Sequence, residues 1–175
     1  MRGSSGRGRS RWRIGALLTV APLVPVLIWW TLLRPAAAGR PPTRLEVSLS
    51  ERELDVIFKD EVVKTYSIAV GTPKHPTPTG SFRTGKIVWN PSWKPPDVAW
   101  ARHETYQPPG APANPMQGVK IYFQAPDYFI HGTNDSDSIG EAASHGCIRM
   151  TVDDASRLAH WIERQGGGVR LIIED

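Results

Sequence analysis

The chain contains one cysteine, Cys147, in the run Ser144-His145-Gly146-Cys147-Ile148-Arg149. A lone thiol cannot close a disulfide within its own chain, which removes the usual role of cysteine outside the cytoplasm. Its neighbours suit nucleophilic chemistry instead. A thiol attacks as the thiolate, and an imidazole within reach can take its proton. Two histidines qualify. His131 ends the apolar run Tyr128-Phe129-Ile130 and lies sixteen residues before Cys147, so the intervening loop can bring the two side chains together. His145 is two residues from Cys147, and in an extended segment those side chains share a face. The N–H groups of Gly146 and Cys147 suit a developing oxyanion, because glycine permits close approach and unusual dihedrals. A base histidine also needs an orienting partner. Asp135, Asp137 or a backbone carbonyl such as that of Gly132 can serve.

Two other readings stay open at this level. His131, His145 and Cys147 are all zinc-ligand types, and three ligands with an open position make a catalytic metal site. A free cysteine can also be a small buried hydrophobe or bridge two molecules. Ser144 reads as a local hydrogen-bonder. His75, His103 and His160 lack chemical context and read as surface or packing residues.

The elements that must position these residues are mainly strands. Arg44 to Ser50 alternates apolar and polar residues, the period of a half-buried strand. Leu54–Phe58 and Val62–Val70 follow as strands, with Lys59-Asp60-Glu61 as the turn between them. Gly71–Gly80 reads as a loop. Residues 90–118 carry seven prolines and little periodicity, which suits a lid, and Trp89, Trp93 and Trp100 lie in or beside it. Val119–Phe123 and Tyr128–His131 are strands again. Thr151 is an N-cap with Asp153 and Asp154 in the first turn. Val152, Ala155, Leu158, Ala159 and Ile162 then form a helical stripe, which Gly166-Gly167-Gly168 ends. Val169–Ile173 is the last strand.

The N-terminal 39 residues have a different character. Residues 1–39 hold six arginines and no acid, leaving fifteen basic and seventeen acidic residues in the body. A near-neutral body carries no nucleic-acid footprint, which needs clustered Lys and Arg. Ile14 to Leu33 is an uncharged run of twenty residues, long enough as a helix to cross about 30 Å of hydrocarbon. Five arginines precede it, so residues 1–13 read as a cytoplasmic tail and everything after Arg34 lies outside. Residues 34–43 form a linker. Cleavage after Ala36-Ala37-Ala38, as in a signal peptide, is the competing reading of 14–33, and a buried core helix is a third. The first two place residues 44–175 outside the cytoplasmic membrane.

The residues that carry the chemistry also carry a resemblance. Ile130-His131-Gly132-Thr133, Ile139-Gly140 and Ser144-His145-Gly146-Cys147-Ile148-Arg149-Met150 closely resemble the signature of the L,D-transpeptidase catalytic domain (YkuD-like). Gly71 with Pro76-Thr77-Pro78-Thr79-Gly80 resembles the family's Thr-Pro-x-Gly segment. Asn90-Pro91-Ser92-Trp93 and Asn114-Pro115-Met116-Gln117-Gly118 resemble its Pro/Trp-rich loop and the segment before the next strand. The likeness implies a β-sandwich-like domain whose cysteine lies in a groove partly covered by a lid. It implies that the Cys147 thiolate attacks the L-centre carbonyl of a diamino acid in a peptidoglycan stem tetrapeptide. D-Alanine leaves, and an amine of a second stem resolves the thioester as a 3→3 crosslink. Some members attach a protein, exchange a D-amino acid or hydrolyse instead. By position, His131 is general base and acid, and the Gly132 carbonyl orients it. The backbone of His145, Gly146 and Cys147 lines the oxyanion site. Ser144 and Arg149 support the site or meet substrate, Arg149 standing where many members have Asn. The family implies no cofactor and no metal. A catalytically inert wall-binding module is the rival from another class.

Overall fold

The computed structural model describes residues 43–175. The predicted segment 1–13, the membrane-spanning or signal segment 14–33 and nearly all of the linker lie outside the described residues. Among the described residues no helix is long and apolar enough to cross a membrane.

The body is mainly β with one α-helix. The strands are β1 (Thr43–Ser48), β2 (Glu53–Phe58), β3 (Glu61–Ser67), β4 (Val70–Gly71), β5 (Gly80–Arg83), β6 (Ile87–Trp89), β7 (Gln117–Gln124), β8 (Tyr128–Gly132), β9 (Ala142–Ser144), β10 (Ile148–Met150) and β11 (Arg170–Glu174). Helix α1 spans Val152–Arg164. A five-stranded sheet runs β3-β2-β1-β11-β5, a four-stranded sheet runs β10-β8-β7-β6, and β4 pairs with β9. Leu45, Val47, Leu54 and Leu171 from the first sheet share one core with Val119, Ile121, Ile130 and Ile148 from the second. Helix α1 adds Ala155, Leu158, Ala159 and Ile162 to that core, the stripe expected from its 3.6-residue period.

The first three strands form the expected antiparallel meander. Their turn tightens to Lys59 and Asp60, both left-handed with φ of 53° and 64°, as a two-residue hairpin loop requires. The buried Arg44 guanidinium reaches across to Asp60 at 2.7 Å and to Glu46 at 2.8 Å. The expected strand Val62–Val70 stops at Ser67, and Val70 opens the separate two-residue β4. Four further strands were not foreseen: β5, β6, β9 and β10. Each has three or four residues, too few to display a period.

The stretch between β6 and β7 has little regular structure, yet it is tied together. Proline supplies carbonyls but no N–H, so other donors must satisfy them. The fully buried Asn114 donates to the carbonyls of Pro91 at 2.8 Å and Pro108 at 3.1 Å. Gln117 donates to those of Ala111 at 2.7 Å and Asn114 at 2.8 Å. Trp93 and Gln107 exchange two backbone bonds of 2.9 Å.

Thr151 caps α1 as predicted. Its hydroxyl oxygen accepts the Asp154 N–H at 3.2 Å, and the hydroxyl donates to the Asp154 carboxylate at 2.8 Å. Thr151→Ala should lower unfolding stability by about 1 kcal/mol, read as a shift in urea midpoint at unchanged slope.

Candidate active site

Strand pairing sets which side chains meet. Strand β10 lies parallel to β8, with Ile148 beside Ile130, Arg149 beside His131 and Met150 beside Gly132. Ile130 and Ile148 are fully buried in the core. Side chains alternate along a strand, so His131 and Arg149 stand on the opposite face. Phe129 stands there too, and its backbone hydrogen-bonds the Cys147 thiol from the loop before β10. Strand β7 extends the face, because Lys120 pairs with His131 and Tyr122 with Phe129.

The loop carrying Cys147 is clamped from both sides. Ser144 is almost fully buried. Its hydroxyl donates to the Cys147 carbonyl at 2.5 Å and accepts the Gly146 N–H at 3.0 Å. Gly146 has φ of +106°, and a Cβ there would stand 2.7 Å from the Tyr128 ring and 3.2 Å from the Pro76 carbonyl oxygen. Only glycine fits both the dihedral and the space. On the outer side Thr72 N–H donates to the Ser144 carbonyl at 3.0 Å, and Ala69 exchanges two 2.9 Å bonds with Arg149. Thr77, in the Thr-Pro-x-Gly segment, accepts the Gly71 N–H at 2.8 Å. That segment thus buttresses the loop.

His131 is buried, and its Nδ1 lies 3.0 Å from the carbonyl oxygen of Gly132. A carbonyl only accepts, so Nδ1 carries the proton and Nε2 keeps its lone pair. The Gly132 carbonyl, rather than Asp135 or Asp137, is the orienting group. Burial lowers the imidazole pKa from 6.5 to about 4. The Gly132 contact opposes that shift, while the Arg149 and Lys120 charges add to it. The half-buried Cys147 thiol moves the other way, to about 11, chiefly through desolvation. A backbone bond from Phe129 and the charges of Arg149 and Lys120 pull it back. Its Sγ lies 3.7 Å from the Asp127 carbonyl. At neutral pH both groups are uncharged, a thiol and an imidazole with one open lone pair. Among the described residues no hydrogen bond joins the two side chains, whose partners are the carbonyls of Gly132 and Asp127.

The remaining predicted residues fall into separate roles. The Gly146 N–H is engaged by Ser144, so it is not open for an oxyanion. The Cys147 N–H makes no hydrogen bond among the described residues. His145 is exposed and points into the Pro/Trp-rich stretch. Its ring stacks on Trp100 at 4.0 Å between centroids, with 13° between planes, and meets His75 at 4.7 Å. Burial, then His75, Arg149 and Lys74, lower its pKa. Arg149 is engaged by Asp135 at 3.4 Å and by the Ser138 hydroxyl at 3.4 Å. Among the described residues no three His, Cys, Asp or Glu side chains are grouped as metal ligands, so His131, His145 and Cys147 do not form a zinc set. His160 packs on Trp89 at 4.5 Å, as a packing residue should. Sequence reasoning missed Lys120, whose only signal was its place in the alternation from Val119 to Phe123.

A fold of two sheets with a buried histidine near the end of β8 and a cysteine in the loop before β10 defines a class, and the comparisons agree on it. The chain belongs to the L,D-transpeptidase catalytic domain family, whose model matches residues 42–170. The YkuD protein of Bacillus licheniformis is 37% identical over 118 residues, covering 67% of this chain and 59% of that protein. The YqjB protein of Bacillus subtilis is 32% identical over 134 residues, covering 74% and 69%. Among solved structures, the catalytic domain of the Enterococcus faecium L,D-transpeptidase superposes with a TM-score of 0.60 at 20% identity, covering 78% of this chain and 99% of that one. An L,D-transpeptidase from Mycobacterium smegmatis gives 0.58 at 19% identity, covering 77% and 59%. At those identities the structural likeness is one of fold.

The shifted histidine makes stability depend on pH. The folded chain keeps His131 neutral down to about pH 4, whereas the unfolded chain takes up its proton near 6.5. The unfolded state binds more protons between those values, so stability is full above pH 6.5 and falls as pH drops toward 4, by up to about 3 kcal/mol. Denaturant midpoints at pH 7.5 and 4.5 should show wild type losing more stability than His131→Gln. A parallel loss in both proteins would assign the effect to other groups.

Proposed function

We propose that this chain is a peptidoglycan L,D-transpeptidase that forms 3→3 stem-peptide crosslinks through a thioester on Cys147. The observation that supports this most directly is the buried His131, with Nδ1 held by the Gly132 carbonyl, on the sheet face that carries Cys147. Nε2 of His131 takes the thiol proton as sulfur attacks the diamino-acid carbonyl. The Cys147 N–H faces the developing oxyanion, with the backbone of His145 beside it. The tetrahedral intermediate collapses, the C–N bond breaks, and D-alanine leaves with the proton from His131. An acceptor amine then attacks the thioester and loses a proton to His131, which returns it to the departing sulfur. No cofactor enters. Arg149, held by Asp135, keeps positive charge near the thiolate, and Ser144 fixes the loop.

The same reading places the domain outside the cytoplasmic membrane, held by the apolar segment 14–33 with residues 1–13 inside, so that it faces the wall. The support is the distribution of arginines around an uncharged run.

The test uses the full chain in mild detergent. A carbapenem should add its mass to the protein, and the shift should vanish in Cys147→Ala; a relative has been solved in complex with imipenem. Tetrapeptide muropeptides should yield D-alanine and 3→3 dimers. Tripeptide without dimers would make the enzyme a hydrolase, and no product from folded protein would leave a binding module. His131→Gln should slow acylation by about 100-fold or more.

A further inference from the structure

The sheet face that carries Cys147 holds a second cation besides Arg149. Lys120 is half-buried on β7, in register with His131 on β8. Its Nζ lies 4.6 Å from the Phe129 ring centroid and 4.9 Å from that of Tyr122. Those two rings meet edge to face at 5.0 Å. The Phe129 backbone hydrogen-bonds the Cys147 thiol. Lys120 therefore sits one strand from His131 and two from β10, with about 10 Å between the outer backbones.

Among the described residues Lys120 forms no ion pair, whereas Arg149 is paired with Asp135. Two aromatic faces steady a cation, but they bring no full negative charge and leave its N–H donors open. A partly desolvated charge without a counter-ion is unfavourable unless a ligand supplies one. Tyr122 also lines a cavity of about 300 Å³ with Arg83 and Lys86.

We propose that Lys120 receives a carboxylate of an acidic peptide bound at Cys147, and so sets which stem the site accepts and in which direction it lies. This rests on the function proposed above, because it needs a peptide at that face. It assigns Lys120 a substrate contact and no part in proton transfer. Arg149, already paired, keeps its supporting role.

Binding, rather than turnover, tests the idea. The probes are L-alanyl-γ-D-glutamyl-L-lysyl-D-alanine and two versions of it. One has the glutamyl carboxylate as the amide; the other has the terminal carboxylate as the amide. Affinities are measured by calorimetry on the full chain in detergent, as Cys147→Ala, with and without Lys120→Met. Lys120→Met should weaken the fully acidic peptide about tenfold or more and leave one amidated version unchanged within twofold. The version that no longer senses Lys120 identifies the carboxylate. Lys120→Arg should restore most of the affinity, and matching thermal midpoints exclude a folding defect. Equal weakening for all three peptides, or no weakening for any, overturns the proposal. So does a shift in the pH profile of Cys147 alkylation with unchanged affinity, which would make Lys120 a tuner of the thiol alone. Lys120-dependent binding without dimer formation in wild type would remove the crosslinking reading and leave this one standing.

Discussion

The three-residue parallel pairing of β10 with β8 is the constraint on which the site depends. It puts Ile148 beside Ile130 and both into the core. Because side chains alternate, that burial turns His131 and Arg149 together to the opposite face of the sheet. A slip of one residue would send His131 into the core and Ile130 to the surface. The register is therefore guarded by the hydrophobic burial of two isoleucines rather than by any bond between the reactive groups. Short strands are weak alone. This one is reinforced by Ala69 on its far side, through two bonds to Arg149, and by Thr151, which starts α1 immediately after Met150.

Placing the pair on a partly desolvated face has an electrostatic consequence. Burial disfavours charge on both partners, so it raises the thiol and lowers the imidazole. The nearby cations act differently on the two. Lys120 and Arg149 oppose the rise at Cys147 and deepen the fall at His131. At neutral pH the histidine is therefore an unprotonated acceptor, and the two cations favour the charged form of the thiol.

Much of this was legible in the sequence, and the parts that were not have a common cause. The meander of β1 to β3, strands β7 and β8 and the helix showed their periods because each is five residues or longer. Cys147 and His131 stood out through residue type and spacing. Strands β5, β6, β9 and β10 were invisible because three or four residues cannot establish alternation. The role of Gly146 was misjudged for a related reason. Its φ was foreseeable, but engagement of its N–H by Ser144 is a contact between neighbours whose conformation only the closed loop defines. Lys120 was overlooked because an exposed-side lysine in a strand looks like any solvated residue until the partner strands reveal what shares its face.

The proline-rich stretch shows how an aperiodic segment can still be specific. Its prolines remove N–H donors, so its carbonyls depend on the amides of Asn114 and Gln117. Both residues sit at the entrance to β7, which ties the stretch to the strand carrying Lys120. Midway along it Trp100 stacks on His145, two residues from Cys147. The stretch therefore bridges two borders of the same sheet face. Burial, then His75, Arg149 and Lys74, disfavour charge on the stacked His145. An imidazolium there would meet three basic neighbours. The stack on Trp100 thus holds the stretch against the loop that carries Cys147.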